Sequence, residues 1–336
     1  MFTVVAFIVL AIVGVSNAQL LPGPFNIDAG GISVSGISAG GYAAQQFHIA
    51  YSSSLVGAGI VAGGPYYCAR NDLLTALNQC MGSDLLIDVP ALLGFAQSCA
   101  NRGACDPLES LRQQKVWLFS GTQDSTVVPG VMRKLEEFYQ ALVEPQNIQS
   151  VFNVSSAHAW ITDSYGNACG TSLTPYISNC GFNSAREILT LMYDLDPNQK
   201  IWSSARKQNI AQFSQPSYFP GTPQAAGLHQ TGFLYIPTSC AQGALCRIHV
   251  SYHGCLMTQD LIQLQYVENS GLNQIAEQNN IIVFYPQAVA SSFAPQNPNG
   301  CFDWWGFAGA GYAEKSGVQN AFVTTVINTL SGRKIF

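Results

Sequence analysis

Gly36-Ile37-Ser38-Ala39-Gly40 follows a short apolar run, Ile32 to Ser35, and opens a stretch rich in Ala and Gln. A strand, a sharp turn and a helix in that order push a serine hydroxyl out above a sheet, with glycine where backbones pack closely. A hydroxyl is a poor nucleophile until an imidazole takes its proton, and the imidazole needs a carboxylate to fix its tautomer. Only five histidines occur, so the search is short. Lys115 to Ser120 reads as a strand, and Gly121-Thr122-Gln123-Asp124 follows it before Val128-Pro129 starts the next helix. Asp124 there is either the orienting acid or a simple helix or turn cap. Beyond a further strand, Ser150 to Val154, the loop Ser155-Ser156-Ala157-His158 carries an imidazole. Of the others, His48 lies ten residues into the elbow helix, and His229 and His249 lie in or beside strands. His253 is different: the strand Arg247 to Tyr252 runs into His253-Gly254-Cys255, the form of a loop that supplies an oxyanion-hole amide. The expected chemistry is acyl transfer by Ser38, His158 and Asp124, with the backbone N–H groups of Ala39 and Cys255 facing the oxyanion.

These residues need a sheet to hold them. Strands are expected at Ile32 to Ser35, Gly59 to Ala62, Lys115 to Ser120, Ser150 to Val154, Gly232 to Ile236, Arg247 to Tyr252 and Ile281 to Tyr285. Helices are expected at Gly40 to Tyr51, Pro129 to Leu142, Ala185 to Tyr193, Leu261 to Gln278 and Val318 to Leu330. The alternation predicts an α/β fold with a mostly parallel central sheet flanked by helices. The order Ser38, Asp124, His158 is that of the α/β-hydrolases, but the His-Gly strand of those proteins precedes the nucleophile. Here it follows by more than two hundred residues. Moving the block Gly232 to Leu330 in front of residue 30 restores the usual order, so a circularly permuted α/β-hydrolase fold is expected, with Asp196 to Gly227 joining the former termini. Tyr66 to Pro107 reads as a Cys-rich insertion, of the kind that often lines an active site.

Of the 336 residues only 10% are charged, against roughly 25% in ordinary soluble domains, and 14 basic against 19 acidic side chains leave a net charge of −5. No basic field exists to neutralise phosphates, which argues against a nucleic-acid partner. Phe2 to Val15 is apolar and is followed by Ser16-Asn17-Ala18, which predicts a signal peptide over residues 1–18 and a secreted, soluble chain over 19–336. That run is too short to span a membrane, and no membrane partner is expected. The mature segment is expected to be one catalytic domain, a monomer, with no separate substrate-binding domain. The ten cysteines are consistent with export. Pairing between neighbours would join Cys99 to Cys105, Cys169 to Cys180 and Cys240 to Cys246, although spacing alone does not fix connectivity. No Cys-x-x-Cys or His/Cys cluster of zinc-finger spacing occurs, and neither a metal nor another cofactor is expected.

Four motifs taken together carry a resemblance: Gly36-Ile37-Ser38-Ala39-Gly40-Gly41-Tyr42, Val61-Ala62-Gly63-Gly64-Pro65-Tyr66-Tyr67-Cys68, His253-Gly254-Cys255 and Asn297-Pro298-Asn299-Gly300-Cys301-Phe302-Asp303-Trp304-Trp305-Gly306. Over nearly the whole mature chain the sequence resembles the secreted, single-domain, circularly permuted polyhydroxybutyrate depolymerases. The resemblance implies a serine esterase acting on poly(3-hydroxybutyrate) and its oligomers, with Ser38, Asp124 and His158 as triad and Ala39 and Cys255 at the oxyanion hole. Relatives often carry Ser where Ala39 stands, but the donor is a backbone amide. Trp304 and Trp305 either wall a substrate subsite or pack in a disulfide-tied loop; a Cys255–Cys301 bridge would tie that loop to the oxyanion loop. Asn153-Val154-Ser155 is the one glycosylation acceptor, disfavoured by its place in a strand and its closeness to His158. Two other readings stand beside this one: a feruloyl or acetylxylan esterase, which shares the His-Gly-Cys and Asn-Pro-x-x-Cys motifs, and a catalytically silent secreted binding protein.

Overall fold

The computed structural model describes residues 19–200 and 205–336; the expected signal peptide lies outside them. Eight strands form the main sheet: β1 (Ile27–Ile37), β2 (Gly57–Val61), β3 (Lys115–Phe119), β4 (Ile148–Val151), β8 (Ile210–Ser214), β9 (Thr231–Tyr235), β10 (Cys246–Tyr252) and β11 (Ile281–Tyr285). A second sheet is made by β5 (Trp160–Thr162), β6 (Asn167–Ala168) and β7 (Ile177–Asn179). In the main sheet the order is β4-β3-β2-β1-β10-β11-β9-β8. From β4 to β11 every pairing is parallel, and β9 and β8 close one edge antiparallel. The expected mostly parallel sheet is therefore present. Strand β11 reads as a continuous apolar run because a parallel strand is covered on both faces, whereas the equally buried β10 carries His249 and Ser251.

Helices α1 (Ala39–Ala50), α2 (Leu73–Asn78), α3 (Val89–Asn101), α4 (Pro129–Gln140) and α5 (Ser184–Tyr193) follow in chain order. Every residue of α1 is buried, Gln45, Gln46 and His48 included, and it packs on β1, β2 and β10. The pairing that matters most joins distant parts of the chain: β1 lies beside β10 with Gly36 opposite Tyr252, so the Ser38 turn and the His253 loop leave the sheet at the same end. Among the described residues all ten cysteines pair, as Cys68–Cys80, Cys99–Cys105, Cys169–Cys180, Cys240–Cys246 and Cys255–Cys301.

Three expectations are corrected. Leu261 to Gln278 is not one helix but the end of three short ones, Gln259–Ile262, Gln265–Asn269 and Leu272–Gln278, because Gln263 (φ 54°) and Gly271 (φ 86°) adopt left-handed backbone that breaks the ladder. The connection from Asp196 to Gly227 contains β8, which covers β9 and takes the sheet edge. Strand β4 ends at Val151, so Asn153 lies outside it and is exposed.

Three histidines are fully enclosed. His48 lies between the Tyr139 hydroxyl (2.9 Å) and Gln114 Oε1 (2.6 Å), and His249 between the Ser33 and Ser35 hydroxyls (2.7 and 2.8 Å). Burial lowers His48, His249 and His253 to about 4, 3 and 4. A group depressed in the folded state adds stability above its unfolded pKa and loses it as pH falls towards the folded value. Asp303, raised by burial to about 6, runs the other way, since the folded chain binds its proton first. Three such histidines against one such carboxyl leave a net uptake of about two protons on unfolding, so stability is expected to fall by about 3 kcal/mol per pH unit between about pH 6 and 4. Urea unfolding at a series of pH values measures this, and a flat midpoint across that window contradicts it.

Candidate active site

The turn after β1 is made by crowding. A Cβ at Gly36 would lie 2.1 Å from the Gly40 carbonyl oxygen, and one at Gly40 would lie 2.4 Å from the carbonyl oxygens of both Tyr252 and His253. Helix α1 can thus start against the end of β10 only if both positions lack side chains. Ser38 is forced into φ 58°, ψ −126°, backbone that a non-glycine residue rarely adopts and that is typical of a nucleophile elbow. Its amide is held by the Val61 carbonyl (2.9 Å), and its carbonyl by the Tyr42 amide (3.0 Å).

Asp124 and His158 sit on two loops joined by backbone bonds. Thr122 N–H donates to Val154 O (2.9 Å) and Gln123 N–H to Ser156 O (3.1 Å). Gly121 permits the contact, since a Cβ there would lie 2.1 Å from the Ser156 carbonyl oxygen. Asp124 Oδ1 accepts from the Thr126 and Val127 amides (2.9 Å each), and Oδ2 faces His158 Nδ1 at 2.8 Å. One oxygen of Asp124 thus caps the turn and the other faces the imidazole. With Nδ1–H donated to the carboxylate, His158 Nε2 is left as the proton acceptor. The His loop is anchored by the small sheet: Ala157 N–H donates to Cys169 O (3.0 Å), Trp160 N–H to Tyr176 O (2.9 Å) and the Ser172 hydroxyl to His158 O (3.0 Å).

Ser38 and His158 open onto one cavity of about 500 Å³. No hydrogen bond joins the Ser38 hydroxyl to the His158 ring, whose Nδ1 is taken by Asp124. Beside Ser38 lie Gly254 and Cys255, which line the same cavity; a Cβ on Gly254 would sit 3.3 Å from Ser38 Cβ. Among the described residues the amides of Ala39 and Cys255 donate to no protein acceptor.

Trp304 and Trp305 both line the cavity, so neither is confined to the core. Trp304 stacks on Tyr42 (centroids 4.6 Å apart, planes at 21°) and meets Trp305 edge-on at 5.7 Å. Their loop turns around Asp303, whose carboxylate accepts from the amides of Trp305, Gly306, Phe307 and Ala308 (2.7 to 3.3 Å). Asp303 had no role in the sequence reading, and neither did Leu73, Leu77 and Met81, which form the opposite wall from the Cys-rich insertion. Two leucines four apart on α2, next to the Cys68–Cys80 bridge, are the one signal that might have pointed to that wall.

No family model matches the chain. A poly(3-hydroxybutyrate) depolymerase of Delftia acidovorans is 38% identical over 322 residues, which are 95% of this chain and 63% of that protein. A polyhydroxybutyrate depolymerase of Talaromyces funiculosus is 35% identical over 320 residues, 91% of each chain. The chain thus spans less than two thirds of the Delftia protein and most of the fungal one. Among solved structures, the PHB depolymerase from Penicillium funiculosum matches with a TM-score of 0.84 at 34% identity, covering 94% of this chain and 100% of that one. A PHB depolymerase variant complexed with an R3HB trimer matches with a TM-score of 0.86 at 32% identity, covering 94% and 99%.

The crowding at the elbow yields a first expectation. Gly40→Ala must push α1 away from β10, at a cost of about 3 kcal/mol or more. Tm is expected to fall by roughly 5 °C or more, read by calorimetry; an unchanged Tm means the helix shifts freely.

Proposed function

The chain belongs to the polyhydroxybutyrate depolymerase family, and from that premise we propose that it hydrolyses poly(3-hydroxybutyrate) and its oligomers as a secreted serine esterase. In this reading Ser38 Oγ attacks an ester carbonyl carbon while His158 Nε2 takes the hydroxyl proton. The amides of Ala39 and Cys255 meet the oxyanion, and the C–O bond to the alcohol end of the polymer breaks as His158 returns the proton to it. Water then repeats the sequence and frees the acid, restoring Ser38. Asp124 holds the His158 tautomer throughout. The observation that carries the reading is the 2.8 Å contact between Asp124 and His158, beside a cavity that the Ser38 turn also lines.

The cavity supports the substrate class. Its lining mixes Leu, Met and Trp with neutral polar groups and includes no Lys, Arg, Asp or Glu, which suits an uncharged polyester better than an anionic monomer. Leu74, Leu85 and Leu86 are exposed on the same insertion that supplies Leu73 and Leu77, and offer an apolar face to a solid polymer. Secretion is supported by the five disulfides. Among the described residues no helix is long and apolar enough to cross a membrane. One chain supplies every group of the site, and we read the enzyme as a monomer. The pairing of β1 with β10 supports the permuted strand order.

The test is clearing of an amorphous poly(3-hydroxybutyrate) suspension, with a feruloyl ester in parallel. Clearing by the parent and none by Ser38→Ala is expected. Cleavage of the feruloyl ester alone moves the substrate to plant cell-wall esters, and failure of a fluorophosphonate to label Ser38 points to a silent binding protein. On a soluble oligomer, Asp124→Asn is expected to lower kcat by about 10⁴ with the fold kept, because the amide favours the wrong imidazole tautomer. A loss of under about tenfold removes Asp124 from the mechanism.

A further inference from the structure

His253 is enclosed at the end of β10 and touches neither the Ser38 hydroxyl nor the His158–Asp124 pair. Its two ring nitrogens have distinct partners: Nε2 lies 3.1 Å from the Ala288 amide, and Nδ1 lies 2.7 Å from the carbonyl oxygen of Gly254, the next residue. An amide N–H can only donate, so Nε2 is the acceptor and the proton sits on Nδ1, which donates to Gly254. The same carbonyl also accepts from the Met257 amide (3.3 Å). The Gly254–Cys255 peptide is trans, and in a trans peptide the C=O and N–H point to opposite sides. Drawing the Gly254 oxygen towards the imidazole therefore turns the Cys255 N–H away from it, towards the cavity where Gly254 abuts Ser38. Phe302 packs against the ring at 4.8 Å between centroids and limits its rotation.

We propose that His253 is a positioning residue: its Nδ1–H bond to the Gly254 carbonyl sets the Gly254–Cys255 peptide so that the Cys255 amide faces the oxyanion. The assignment rests on the esterase reading above. The amide adds its interaction only when charge develops on the substrate oxygen, so losing its orientation lowers kcat more than it raises KM. Burial lowers His253 to about 4, which keeps the ring neutral and Nε2 free to accept at working pH.

Two conservative variants separate the nitrogens. His253→Asn keeps a donor at the distance of Nδ1; His253→Gln moves its amide out to the distance of Nε2, where it reaches Ala288 but not Gly254. On a soluble 3-hydroxybutyrate oligomer, His253→Asn is expected to lose less than about tenfold in kcat, while His253→Gln loses about 100- to 1000-fold with KM changed by less than about threefold. Affinity for a trifluoromethyl ketone, which forms a tetrahedral adduct, is expected to fall in step with kcat/KM across the series. Equal activity of Asn and Gln, or losses that simply follow Tm, overturns the proposal. Should the variants fail to fold, ¹⁵N-histidine NMR of the parent decides: a neutral Nδ1–H ring supports the assignment and an Nε2–H ring overturns it. Ser38→Ala runs beside these. A parent without esterase activity, or one whose activity survives Ser38→Ala, overturns the esterase reading; a Ser38-dependent parent with Asn and Gln alike overturns only the role of His253.

Discussion

The site depends on how closely helix α1 approaches the end of β10. Gly36 and Gly40 leave no room for a methyl group between the elbow and the Tyr252 and His253 carbonyls. That contact places Ser38 and the Cys255 amide on one wall, although more than two hundred residues separate them. The parallel β1–β10 pairing sets the height of both turns above the sheet. Ser38 can hold its unfavourable backbone because the buried residues on either side of it in the turn leave it no other.

Around that contact, several buried charged and imidazole groups are fixed by named partners. Asp124 spends one oxygen on two loop amides and the other on His158, so the group that closes the loop also orients the ring. Asp303 gathers four amides on its carboxylate and so shapes the tryptophan loop. His48, His249 and His253 are each fixed between two partners as neutral rings. Such groups define a unique geometry at a cost that appears when protons become plentiful.

Much of this was legible in the sequence, for identifiable reasons. Histidine is scarce in the chain, so a serine in an elbow and an aspartate after a strand had few possible partners. β-Branched and apolar runs bounded by Gly and Pro located most of the parallel strands to within a few residues, because strands covered on both faces are mostly apolar. Where local pattern and tertiary setting part, the reading failed. The run from Leu261 to Gln278 has helical spacing, but nothing at Gln263 announces its left-handed backbone. Strand β8 carries one fully buried apolar side chain, Phe213, and forms because β9 needs an edge partner. The roles of Asp303 and of the leucines on α2 depend on which way a loop turns, and no periodicity encodes that.

The Cys255–Cys301 bridge joins the oxyanion loop to the loop that carries Trp304 and Trp305. The facing wall is built differently: Leu73 and Leu77, each 47% exposed, stand on a helix of only six residues. The helix itself lies inside the Cys68–Cys80 loop, so both parts of the lining are held by disulfides and differ in how exposed their side chains are. Evolution or design can alter the width of the groove by exchanging side chains on α2 while the amide geometry across from it stays in register. Substrate range and catalytic alignment become separately heritable traits within one small site.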